Sequence, residues 1–261
     1  MNKVIKYVLA VIVVAVIAIA NPIDDKASTF VYQGAPVSSI KKNSQYLIKK
    51  NYAVHYRYDT KTAEYVVEHV TKECVTGPSK RENDFRADPE LPKEHQSLLS
   101  DYAGFPYDRG HLAPAGDNTQ NDDVMSESFF LSNMVPQVPN NNRGIWKQLE
   151  TFVRNWALEG KDIYVVTGTV YNKGYTSIGS NNVGVPTHVW KVIVDKKSNK
   201  AIAFIFPNTA LPVEDMPKYA VSIDEVEKQT DINFMPKLTP ALEKSIEKTK
   251  PVLKDWSGLD K

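Results

Sequence analysis

Four apolar side chains in mid-chain, Ile145, Leu149, Phe152 and Trp156, recur at i, i+4, i+7 and i+11, one face of a 3.6-residue period. They constrain the fold strongly because strand-like stretches flank them on both sides. The segment NNNRGIWKQLETFVRNWALEGKD predicts one long helix, with Asn141 or Asn142 as N-cap and Gly160 closing it in a left-handed C-cap. Trp146 and Val153 extend the stripe, which reads as core packing and requires no cofactor. Upstream, NYAVHYRYDTKTAEYVVEHV alternates aromatic and β-branched residues with polar ones around Asp59–Thr62, a hairpin signature. Downstream, DIYVVTGTVY predicts a buried strand, and HVWKVIVDKKSNKAIAFIFPN a second hairpin turning at Lys197–Asn199. With a further helix expected near the C-terminus, the fold class is α+β rather than a regular alternation of strand and helix.

The 261 residues, 42% hydrophobic, suffice for one sizeable core. Residues 1–20 have a basic start (Lys3, Lys6), an apolar run from Tyr7 to Ala20 and an Ala18-Ile19-Ala20 close, the three parts of a secretory signal peptide. The run is shorter than the ~20 residues of a spanning helix. Cleavage and a secreted or periplasmic product without stable membrane contact are expected; an uncleaved anchor is the alternative. Residues 21–45, polar with Pro22, Gly34 and Pro36, read as a linker, and 46–261 as the functional domain. Between Thr76 and Pro106, RENDFRADPELP reads as a long ordered loop.

Charge narrows the function. The formal net charge is +1, and loss of residues 1–20 would leave 30 bases against 31 acids. A protein held on nucleic acid by bulk charge would be strongly basic, so any polyanion must be gripped by a local cluster. Cys74 is the single cysteine, so no internal disulfide can form. Ser126, Ser128 and Ser132 belong to no G-x-S-x-G elbow, and Cys74 reads as a small buried hydrophobe. The five histidines, His55, His69, His95, His111 and His188, lack zinc-site spacing, and His55 and His69 read as packed or solvated. No Walker loop or G-x-G-x-x-G occurs.

What remains is PYDRGHLAPAGDN, Pro106 to Asn118. If Tyr107–Leu112 is extended, Arg109 and His111 share a face, and Gly110 between them permits close approach. Arginine offers a planar fork for phosphate oxygens, and histidine takes a proton near neutral pH. Taken alone, the segment leaves two readings open: a charged surface turn, or an anion site beside a proton acceptor.

The run DRGHLAPAGDN followed by FFLSNMVPQVPNNNRGIWKQLE resembles the DNA/RNA non-specific endonuclease family, the ββα-metal nucleases of Serratia-type and endonuclease G-like kind. DFRADP, VTGTVY, VGVPTHVWKV, AFIFPN and VSIDEVEKQTDINF extend the resemblance over roughly Tyr46 to Leu238. It implies a ββα-metal fold, a central antiparallel sheet with a long helix carrying the metal site. It implies His111 as general base, Asn142 as direct ligand of one divalent cation, and Glu150 holding a water of that cation. Arg109 matches a phosphate-neutralising arginine and Asn133 a supporting site asparagine, for which a buried structural amide is the alternative. Arg81 matches a second phosphate-binding arginine, with Arg86 competing. Asp108 reads as structural. Asn142 and Glu150 stand eight residues apart, ~12 Å along a helix. Direct ligation by both is thus excluded, whereas a water-mediated Glu150 suits Mg2+, with Mn2+ as a substitute.

The activity implied is metal-assisted hydrolysis of DNA and RNA, gripped through the phosphate backbone with little sequence choice and leaving 5′-phosphate ends. Two other readings stand beside it: a catalytically idle nucleic-acid-binding relative and a membrane-anchored scaffold. A homodimer stays open.

Overall fold

The computed structural model describes residues 28–259; the expected signal peptide lies outside them. A seven-stranded antiparallel sheet forms the centre, in the order β12 (Ala220–Val221), β11 (Lys200–Pro207), β10 (His188–Asp195), β7 (Ile163–Val170), β4 (Thr62–Val70), β3 (Tyr52–Arg57) and β2 (Ser44–Ile48). Both expected hairpins are present. Lys61 turns β3 into β4 at φ 51° and Asn199 turns β10 into β11 at φ 52°, in the left-handed region such turns require. β5 (Asp108–His111) pairs with β6 (Met134–Gln137) as a separate ribbon. Two small pairs complete the strands: β1 (Val37–Ser38) with β13 (Ile232–Asn233), and β8 (Ser177–Ile178) with β9 (Val183–Gly184).

Among the described residues six α-helices join them: α1 (Lys72–Val75), α2 (Leu99–Tyr102), α3 (Asp122–Glu127), α4 (Lys147–Leu158), α5 (Ile223–Thr230) and α6 (Pro240–Ile246). The long helix lies where the apolar stripe puts it. On one face of the sheet, Ile145, Leu149, Val153 and Trp156 pack with Val66, Val165, Val189 and Ile193. Burying Leu149 and Val153 stabilises by ~1.5–3 kcal/mol each. α4 ends as expected at Gly160, φ 92°, a position that suits glycine.

The other end differs from expectation. Neither Asn141 nor Asn142 caps the helix. Asn141 is buried, and its amide bonds Gln137 and the carbonyls of Pro207 and Thr209 at 2.8–3.0 Å. Asn142 bonds Asp108. The chain enters α4 through a wide π-helical turn, Asn141–Trp146, in which Lys147 N–H reaches back to Asn142 O and Gly144 leaves helical geometry (φ −102°, ψ −109°). A cap would need the side-chain oxygen; Gln137 Nε2 takes that of Asn141, and the bond to Asp108 holds the Asn142 amide away from the helix start.

On the opposite face, Tyr65, Val67, Trp190 and Val192 pack with Ile223, Val226 and Phe234. Phe30, Val31, Tyr32 and Ala35 join this layer, and β2 already begins at Ser44. The described part of the expected linker is therefore docked on the domain: burial of its short apolar run outweighs its polar composition. Among the described residues, no helix is long and apolar enough to cross a membrane.

Candidate active site

The β5–β6 ribbon and the start of α4 meet over a cavity of about 540 Å³. Arg81, Arg109, His111, Asn142, Glu150 and Arg154 line it. Residues that the sequence separates by up to seventy positions are thus brought to one place, including five of the expected site residues.

β5 is extended, so Arg109 and His111 lie on one face as their spacing requires. Gly110 must be glycine, because a Cβ there would collide with the Gln137 side chain across the ribbon. Two phenyl rings organise the cations. Arg109 stacks over Phe85 at 4.3 Å, and Arg81 lies over Phe129 at 5.1 Å. The same rings flank His111, with Phe129 edge-on at 5.1 Å and Phe85 at 5.8 Å. Each contact of this kind contributes ~0.5–1 kcal/mol and fixes a guanidinium beside the imidazole.

His111 is buried, and its Nε2 has no hydrogen-bond partner among the described residues. Burial, and then the positive charges of Arg81 and Arg109, lower its pKa to about 3. The ring is therefore neutral near pH 7 and can accept a proton. Arg109 Nε is likewise buried without a partner. Unsatisfied buried donors and acceptors are costly in a folded protein, so two in one cleft point to a ligand that completes them.

Asp108 is structural, as the sequence suggested. Its carboxylate accepts from Asn142 Nδ2 at 2.9 Å and from Arg143 Nε and Nη2 at 2.7 and 2.5 Å, and these contacts hold its pKa below the usual range against the effect of burial.

Glu150 stands on α4 at the cavity wall. Burial raises its carboxyl to about 7, opposed by Lys191 and Arg154 and reinforced by Asp117. Behind it lies a charged layer that sequence reasoning missed. Lys191 on β10 is fully enclosed; its Nζ donates to Thr167 Oγ1 at 2.6 Å. Glu68 on β4 is 1% exposed, with both carboxylate oxygens unpartnered among the described residues. Burial lowers the pKa of Lys191 and raises that of Glu68. Arg154 bonds Asp117 at 3.1 Å. A signal existed for each. Lys191 interrupts the apolar side of HVWKVIVD, as Glu68 does in EYVVEHV. Arg154 follows Glu150 by four residues, the spacing of neighbours on a helix face.

Two expected residues lie elsewhere. Asn133 is buried outside the cavity lining. Its amide accepts from Ala113 N–H at 2.9 Å and donates to the carbonyls of Ala113 and Ser128 at 2.8 and 2.9 Å. Those bonds consume the groups a substrate would use, so Asn133 is a positioning residue that pins the chain after His111. Arg86 also lies away: it bonds Asp84 and the Ser126 carbonyl and stacks on Phe130 at 4.1 Å. Arg81 is the arginine that lines the cavity. Cys74 is buried in α1, outside the cavity. His55 and His69 are packed against Glu64 and Asp162.

With Arg143 and Lys147 also on the rim, five cations face the cavity against one lining carboxylate among the described residues, Glu150. This is the local cluster that the near-neutral net charge demanded, and it suits a polyanion. Both Asn142, whose Oδ1 has no hydrogen bond among the described residues, and Glu150 bring hard oxygen donors, the type a divalent cation takes, to the cavity lining.

The fold and site have relatives. A family model described as DNA/RNA non-specific endonuclease matches residues 27–241. The chain is 35% identical over 205 residues to mitochondrial nuclease EXOG of Xenopus laevis, a match covering 72% of this chain and 57% of that one. It thus spans a little over half the length of that relative. Nuclease C1 of Cunninghamella echinulata is 36% identical over 74% of this chain and 83% of its own. A nuclease of Nostoc is 32% identical, over 82% and 81%. Among solved structures, a chain of the EndoG/EndoGI complex superposes with a TM-score of 0.75 at 27% identity, covering 85% of this chain and 94% of that one. With a family model matched over most of its length and relatives above 30% identity, the chain belongs to the DNA/RNA non-specific endonuclease family.

Proposed function

We propose that this protein is an exported, magnesium-dependent endonuclease that hydrolyses DNA and RNA with little sequence preference and leaves 5′-phosphate ends. The observation that carries the reading is His111: a buried imidazole whose Nε2 has no partner among the described residues, in a cleft lined by Arg81 and Arg109. An imidazole in that state takes a proton from water as the water attacks phosphorus, and the arginines stabilise the charge that builds on the phosphate oxygens.

Asn142 would hold the metal directly, its amide turned by Asp108, and Glu150 through water. When bound, a divalent cation supplies Lewis-acid stabilisation to the phosphate and the departing oxygen. A bound cation would favour the ionised form of Glu150, against the burial that raises its pKa. The lining side chains address backbone phosphate, which positions a strand without reading its bases. Export rests on the sequence of residues 1–20.

The test compares the purified protein with its His111→Ala variant on plasmid DNA and on RNA, with magnesium and with chelator. Cleavage of both substrates by wild type, a fall of ~10²–10⁴-fold in the variant with retained binding, and loss with chelator are expected. Binding without cleavage in any divalent ion would sink the enzyme reading in favour of an idle nucleic-acid-binding relative. Mass spectrometry of the mature N-terminus checks removal of residues 1–20; their persistence would favour an anchored protein.

A further inference from the structure

A second cluster of charge lies on the far side of the sheet. Asp224 and Glu227 on α5 and Glu247, just past α6, each bring a carboxylate oxygen within 4.8 Å of the other two. The two segments are fixed to each other here, because Asp224 N–H donates to the Glu247 carbonyl at 3.1 Å. Glu227 Oε1 is taken by Phe234 N–H at 2.9 Å. The neighbouring cation, Lys248, pairs with Glu243 at 2.6 Å. Glu247 itself is 4% exposed, and its Oε1 is sealed from solvent with no hydrogen-bond partner among the described residues.

Converging carboxylates repel, and a buried carboxylate oxygen without a donor is rare enough to require an explanation. One multivalent cation would remove both the repulsion and the missing bond.

We propose that Asp224, Glu227 and Glu247 form a calcium site that clamps the end of α6 onto α5. The donors are all hard oxygens, as calcium prefers, and oxygens within 4.8 Å of one another can all reach a single ion at about 2.4 Å. Magnesium demands a tighter octahedron at ~2.1 Å and resists giving up its waters. None of the three residues lines the cleft of the candidate active site, so this site does not depend on the nuclease reading.

Calcium titration calorimetry on the full-length Asn142→Ala variant, with and without Glu247→Gln, tests the proposal while limiting competition from the cleft. One calcium per chain is expected, with a rise in Tm of ~5 °C when free calcium is a hundred times the Kd. Glu247→Gln should abolish both. In chelator it should unfold no lower than its parent, because glutamine relieves one repelled charge. That comparison separates loss of a ligand from loss of folding. A cleft that still binds calcium would add a site that Glu247→Gln leaves in place. In the wild-type background, Glu247→Gln should leave nucleic-acid cleavage unchanged. Absence of calorimetric binding, or a stoichiometry and Tm rise that neither Glu247→Gln nor Asp224→Asn reduces, overturns the site. An equal rise with magnesium at the same concentration overturns its assignment to calcium.

Discussion

Asp108 accepts a hydrogen bond from Asn142 Nδ2 at 2.9 Å, a bond that fixes which end of the Asn142 amide remains available. Without it the amide is free to rotate and offer nitrogen where a metal needs oxygen. Asp108→Ala should therefore weaken magnesium ~10–100-fold, with turnover recovering at saturating metal. A magnesium titration of the cleavage rate reads this directly; a defect that no amount of metal corrects would place Asp108 in the chemistry itself.

Arg81 and Arg86, five residues apart, should fail in different ways. Arg81 lines the cleft and is mostly exposed, so Arg81→Ala should leave stability within ~0.5 kcal/mol. It should weaken nucleic-acid binding across sequences and reduce the salt slope by ~1. Arg86 ties Asp84 to the Ser126 carbonyl, so Arg86→Ala should cost ~1–3 kcal/mol of stability with an unaltered salt slope. Urea unfolding beside salt-dependent binding distinguishes the two; exchanged phenotypes would reverse the assignment.

The neutral His111 makes stability depend on pH. Its folded pKa, about 3, lies below the unfolded value near 6.5, so the native state binds fewer protons. Its full contribution is present above pH 6.5 and is lost as pH falls toward 3. Between pH 7 and pH 5 the protein should lose ~2 kcal/mol on this account, a loss absent from His111→Gln. Denaturant unfolding of both proteins at the two pH values checks the difference; parallel losses would mean that His111 is protonated in the native state.

Lys191 compensates the carboxylates behind the cleft. Lys191→Met leaves Glu68, Asp117 and Glu150 with less positive charge and should destabilise by ~3–5 kcal/mol. It should also raise the Glu150 pKa and move the acid limb of the pH–rate profile upward. Adding Glu68→Gln should restore part of the stability. A profile that stays in place would separate Lys191 from Glu150.

Elements that bury a periodic apolar face were legible in the sequence. The period of Ile145, Leu149 and Trp156 located α4, and alternation located the hairpins, because one dominant interaction decides each. Arg109 and His111 were legible as a pair for the same local reason, a shared face of a strand. Asn133 was not, since its role depends on backbone groups of Ala113 and Ser128 that only the fold brings near. The α4 entry failed similarly: capping is a local preference, and the Gln137 amide outcompeted it for the Asn141 side-chain oxygen. Glu68 and Lys191 escaped notice because their strands are far apart in the chain, although a charged residue on an inward-facing position was itself a signal.

The wide turn at Asn141–Trp146 makes the spacing of the chain part of the chemistry. Each residue of a regular helix rotates the next by ~100°. Deleting Gly144, whose side of the turn has open space, would tighten the turn and swing Asn142 around the axis relative to Glu150. No side chain would change, yet the two oxygens proposed to serve the metal would part. Homologous insertions or deletions should therefore be far better tolerated in the surface loops than in these six residues, whose number matters as much as their identity.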